Sequence, residues 1–118
     1  MPREDKLFSV EIKDNNLEIK LEGEIDHHSA VNVRSYIDEL IFETRPKKLI
    51  LDLSGISFMD SSGLGLIMGR YSLIKEFGGT LVLRAPTVAV MKILTLAGME
   101  KMIKIEKTHK EDGQNEEK

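Results

Sequence analysis

The chain has 118 residues, 41% of them hydrophobic and 31% charged, with a formal charge of −3 and no cysteine. That length suits one domain able to bury roughly two-thirds of its unfolded surface. The charge balance gives no nucleic-acid footprint, the missing thiols exclude disulfides and thiolate metal sites, and no apolar run approaches a membrane span.

The first residues, Met1-Pro2-Arg3-Glu4-Asp5-Lys6, form a polar extension with no apolar segment of the kind that directs secretion, so a cytoplasmic protein is expected. From Leu7 to Ile12 the residues alternate, with Phe8, Val10 and Ile12 on one face. Asp14-Asn15-Asn16 is turn chemistry, and Leu17, Ile19 and Leu21 then alternate with Glu18, Lys20 and Glu22. This predicts a β-hairpin, half buried and half wet. Gly23-Glu24-Ile25-Asp26 breaks the pattern, and Asp26 or Ser29 can cap a helix whose apolar stripe is Ala30, Val33, Ile37, Leu40 and Ile41.

Lys48 to Leu53 is a compact, mostly apolar strand of the type buried on both faces of a parallel sheet. A second helix follows Asp60-Ser61-Ser62-Gly63, with Leu64, Ile67, Met68, Tyr71 and Ile74 at spacings of three and four, and it stops at Gly78-Gly79. Thr80 to Arg84 is another strand. Pro86-Thr87 opens a third helix carrying Val88, Met91 and Leu94, with Ala97 a further candidate, and closed at Gly98, and Met102 to Ile105 is a final strand. Residues 7–107 therefore form one domain, and the polar run 108–118 is expected to be disordered. The order β-β-α-β-α-β-α-β implies parallel pairing through right-handed crossovers, with the first hairpin adding an antiparallel edge.

The chemistry concentrates at the Asp-Ser-Ser-Gly turn. A helix start carries unpaired N–H groups and partial positive charge, so it favours Asp or Ser as a cap and tolerates an anion. One serine can be the cap and the other a small turn residue; alternatively, one hydroxyl is a phosphate acceptor. Asp60 is either a cap or an acidic neighbour that a partner enzyme reads. A serine nucleophile would need a base and an orienting group, and Met59 replaces the glycine of a nucleophile elbow. Gly63 and Gly65 follow a strand, but the third glycine falls at Gly69, one residue too far for a dinucleotide fingerprint, and no P-loop Lys-Ser or Lys-Thr follows.

These glycines are instead expected to allow a tight turn and close packing, with Gly69 against a neighbour. His27 and His28 diverge too much to share a metal and are expected at an exposed helix entrance. Met68, Met91, Met99 and Met102 are expected as core filler, with Met59 a candidate for an exposed contact. No cofactor or metal is expected.

Gly23-Glu24-Ile25-Asp26-His27-His28, Phe58-Met59-Asp60-Ser61-Ser62-Gly63-Leu64-Gly65 and Gly69-Arg70-Tyr71 together resemble the STAS-domain anti-sigma factor antagonists, the sporulation branch above all. The resemblance runs from about Leu7 to Glu106. It implies an α/β domain with a mixed sheet and helices packed mainly on one side. It also implies that Ser61 is the phosphate acceptor, with Ser62 as its neighbour.

In the family, an anti-sigma factor with ATP-dependent serine kinase activity (SpoIIAB-like) holds a sigma factor inactive. The unphosphorylated antagonist displaces that sigma factor, phosphorylation ends the docking, and a SpoIIE-like serine phosphatase restores it. On that reading the chain has no catalysis of its own. Asp60 and Gly63 shape the presentation of Ser61, Asp26 and His27 extend the contact surface, and Leu64 is an apolar anchor. The alternative is a generic STAS interaction module in a stress-response signalling complex.

Overall fold

The structure, a computed structural model, describes residues 8–107; the expected extension at 1–6 and polar tail at 108–118 lie outside the described residues. The elements are β1 (Phe8–Lys13), β2 (Asn16–Ile25), α1 (His27–Thr44), β3 (Lys48–Met59), α2 (Ser61–Glu76), β4 (Thr80–Arg84), α3 (Val88–Leu96), a 3-10 turn (Met99–Lys101) and β5 (Lys104–Glu106). The five strands lie in sequence order across one sheet. β1 pairs antiparallel with β2, and β2 to β5 are mutually parallel. This is the expected mixed sheet with the hairpin at its edge.

A parallel sheet that grows one strand at a time in one direction, through right-handed crossovers, sends every helix to the same face. Leu17, Ile19 and Leu21 of β2, Leu49, Leu51 and Leu53 of β3, and Leu81 and Leu83 of β4 occupy that face. They form one cluster with Val33, Ile37 and Ile41 of α1, Leu66, Ile67 and Ile74 of α2, and Val90 and Leu94 of α3. The opposite face carries an ionic row. Arg84 is paired with Glu18 and with Glu106, and Asp52 accepts from the backbone and hydroxyl of Ser54 at 2.9 and 2.7 Å. Leu49 to Leu53 are all buried, as the apolar strand pattern predicts.

Three boundaries differ from the sequence reading. β3 does not end at Leu53 but continues through Ser54-Gly55-Ile56-Ser57-Phe58 to Met59. Its pairing with β4 stops at Asp52, while pairing with β2 goes on through two register irregularities, near Glu22 and near Glu24. Gly23, at φ +88°, belongs to that irregular stretch and does not end β2. The last strand starts at Lys104 because Met99–Lys101 first form a 3-10 turn. Met59 is buried and Met102 is 46% exposed, the reverse of what was expected of each.

Candidate functional site

The two irregularities bring the ends of β2 and β3 level, so that Ile25 pairs with Met59. The Asp60 N–H then donates to the Ile25 carbonyl at 3.3 Å. The turns entering α1 and α2 therefore lie side by side at the carboxyl edge of the sheet, and both helices start there.

Each start is capped by an aspartate. Asp26 accepts from the Ser29 N–H at 3.0 Å, and Ser29 Oγ accepts from the Asp26 N–H at 3.0 Å, a reciprocal capping box. The Ser29 hydroxyl also donates to the Glu24 carbonyl at 2.8 Å, tying the cap to the end of β2. The Ser29 backbone N–H is the main reason the Asp26 carboxyl sits below its ordinary value, with burial opposing and the Ser29 hydroxyl and His28 adding to the effect. At the second start, Asp60 Oδ1 accepts from the Ser62 N–H at 2.8 Å, and the Gly63 N–H donates to the Asp60 carbonyl at 2.9 Å.

Neither serine is the cap. Ser61 occupies the first helical position, is exposed, and makes no side-chain hydrogen bond among the described residues. Ser62 is half-buried beside it. Gly63 is fixed by packing: a Cβ there would lie 2.4 Å from Met59 Cγ and 2.8 Å from its sulfur. With Met59 packed against Gly63 and Asp60 holding the Ser62 amide, the turn leaves Ser61 exposed on a packed support. Leu64 is half-buried against the core, and His27 and His28 are exposed with ring centroids 6.5 Å apart.

The fold thus places Asp26, His27, Asp60, Ser61, Ser62, Gly63 and Leu64 on two adjoining turns. Phe58, 49% exposed and three residues before Ser61, leaves an apolar side chain open beside the turn, which its place in an apparent loop concealed. Strand alternation does not give it away, since Ile56, two residues earlier, is buried.

The expectation for Gly69 fails. A Cβ at Gly65 or Gly69 would meet nothing within 4 Å, so neither glycine serves close packing. With Ser62 they leave a groove of about 300 Å³ between α1 and α2, starting beside the Ser61 turn. A second, apolar concavity of about 620 Å³ lies along α3 between Val88, Met91, Leu96 and Lys107 and includes none of the turn residues. Among the described residues no helix is long and apolar enough to cross a membrane, and no three His, Cys, Asp or Glu side chains are placed to hold a metal ion.

Residues 8–112 match the STAS domain. The chain is 39% identical over 87 residues to the anti-sigma F factor antagonist of Paenibacillus polymyxa, covering 74% of each. It superposes on the unphosphorylated anti-sigma factor antagonist SpoIIAA with a TM-score of 0.76 at 29% identity, covering 92% of this chain and 93% of the other. The phosphorylated form of SpoIIAA, the Bacillus cell fate determinant, gives a TM-score of 0.70 at 28% identity, with 92% and 96% covered.

Proposed function

This chain belongs to the STAS-domain family of anti-sigma factor antagonists, and from that membership we propose that it works by a charge switch at Ser61. The unmodified turn docks on an anti-sigma factor and frees the sigma factor. The anti-sigma factor, as a SpoIIAB-like kinase, transfers the γ-phosphoryl group of ATP to Ser61 Oγ, with the hydroxyl proton lost and ADP leaving. A SpoIIE-like phosphatase hydrolyses the phosphoserine and resets the turn. The chain contributes an acceptor and a shaped surface but no catalytic group, and ATP as phosphoryl donor implies a cytoplasmic setting.

The observation that carries this reading is the division of labour at the α2 start. Asp60 does the capping, which leaves the exposed Ser61 hydroxyl free of any structural task. A phosphate there gains roughly 0.3–1 kcal/mol from the helix dipole. The Asp60 carboxylate, already on the amides, offsets part of that gain, so fold stability changes little. A carboxylate of the partner facing the turn would instead meet about −1.5 to −2 of new charge, a repulsion of several kcal/mol. A loss of about 4 kcal/mol weakens docking about a thousandfold.

The test is to incubate the chain with its cognate anti-sigma kinase and ATP and to map the product by mass spectrometry. Phosphate on Ser61 is expected. Phosphate confined to Ser57, Ser62 or a threonine would overturn the assignment.

A further inference from the structure

The contact between α1 and α2 changes character along its length. At the carboxyl end it is closed: Phe42 packs edge-on to Phe77 with centroids 5.5 Å apart, and the Arg45 guanidinium lies 5.0 Å from the Phe77 centroid. In the middle, Arg70 Nε meets Asp38 Oδ1 at 2.8 Å, and Arg70 Nη1 donates to the Leu66 carbonyl at 3.2 Å. The end beside Ser61 is open among the described residues, where Ser62, Gly65 and Gly69 leave the α2 backbone bare and the groove begins.

Nothing inside the domain requires those two glycines, since both have negative φ and free space where a Cβ would stand. Glycine within a helix is destabilising relative to alanine. Its use at both positions keeps room for something outside the chain.

The groove also has a polarity. Ala30 and Leu66 are buried at its base, and Val31, 44% exposed, gives it an apolar wall. Arg70 is neutralised by Asp38, but Arg34 on the α1 wall has no ion pair among the described residues. Burial first, and then the nearby Arg34 charge, hold the Arg70 guanidinium below its ordinary value, although Asp38 counters both. A second copy docked groove to groove would set one Arg34 against another, so the charge fits an acidic segment better than the groove of a second copy.

We infer that the α1/α2 groove receives an acidic segment of the anti-sigma factor, with a carboxylate on Arg34, an apolar side chain on Val31 and backbone in close approach to Gly65 and Gly69. This rests on the proposed docking of the Ser61 turn and extends it along the helices. Arg34 then acts as a specificity residue, and the two glycines as a steric gauge that a longer side chain would close.

The experiment measures affinity of the full chain for its cognate anti-sigma factor, with melting temperature recorded for each variant. Gly69→Leu and Arg34→Glu are each expected to weaken docking at least about tenfold, the second with a reduced salt dependence, while the melting temperature holds or rises. Gly69→Ala serves as the milder variant, expected to raise the melting temperature and weaken docking less. Ser61→Asp is run alongside. Full affinity in Arg34→Glu and Gly69→Leu, with docking lost in Ser61→Asp, would overturn the groove and leave the Ser61 switch standing. Full affinity in Ser61→Asp would overturn the switch, while docking weakened in Arg34→Glu and Gly69→Leu would still support the groove. A lowered melting temperature in both glycine variants would show that the space is needed for internal packing and would count against the groove.

Discussion

At the start of α2 the capping residue, Asp60, and the proposed phosphate acceptor, Ser61, are different residues, and each can be altered without the other. Asp60→Ala removes the acceptor for the Ser62 N–H, which typically costs about 1 kcal/mol. For a domain of this size that is about 4–8 °C in melting temperature, with Asp60→Asn much closer to the parent. Scanning calorimetry decides; an unchanged Asp60→Ala would mean the helix start has another source of stability. Gly63→Ala is a separate case, because its Cβ would fall 2.4 Å from Met59 Cγ. Overpacking of this kind costs roughly 1–3 kcal/mol, and pairing it with Met59→Ala should recover part of the loss. The sequence narrowed the cap to Asp60, Ser61 or Ser62 but could not choose, since all three are good caps and their backbone positions depend on where β3 ends. The burial of Met59 is hidden for the same reason: it follows from pairing with Ile25 at the end of the extended β3 and from the close approach of Gly63.

Element by element, the apolar stripes of α1 and α2, the punctuation at Gly78 and Gly98 and the opening of α3 at Pro86-Thr87 were legible because their causes are local. The second half of β3 and the true course of β2 past Gly23 were not. Ser54-Gly55 and Gly23-Glu24 break local periodicity, and only pairing between distant segments makes strands of them. The empty space at Gly65 and Gly69 was hidden too, since a glycine in a sequence does not say whether a neighbour presses on it.

The start of α1 gives a pH prediction. Asp26 has a folded value below its unfolded one, chiefly through the Ser29 N–H, so its contribution is present above the unfolded value and is lost as pH falls through the folded one. Asp26→Asn keeps a capping oxygen without the charge. Its melting temperature should therefore fall less steeply than the parent's below about pH 4. Parallel acid limbs for the two proteins would show that Asp26 contributes nothing to the pH dependence.

Across the described residues, sequential strand order puts three helices on one face and brings two helix entrances to one edge, and that juxtaposition joins the two motifs of the proposed docking surface. The support is the core beneath. Leu51 is fully buried in the segment of β3 paired on both sides, so Leu51→Ala should cost about 2–5 kcal/mol by chemical denaturation, and a loss under 1 kcal/mol would contradict the packing described. On the proposed mechanism, that packed core is what lets a charge at Ser61 change recognition without changing the fold. The most direct measurement titrates the cognate anti-sigma factor with the unmodified and the Ser61-phosphorylated chain and records both melting curves. The account predicts affinity lower by about a hundredfold or more after phosphorylation, with melting temperatures within a few degrees. Equal affinity of the two forms, or a loss that merely tracks unfolding, would contradict it.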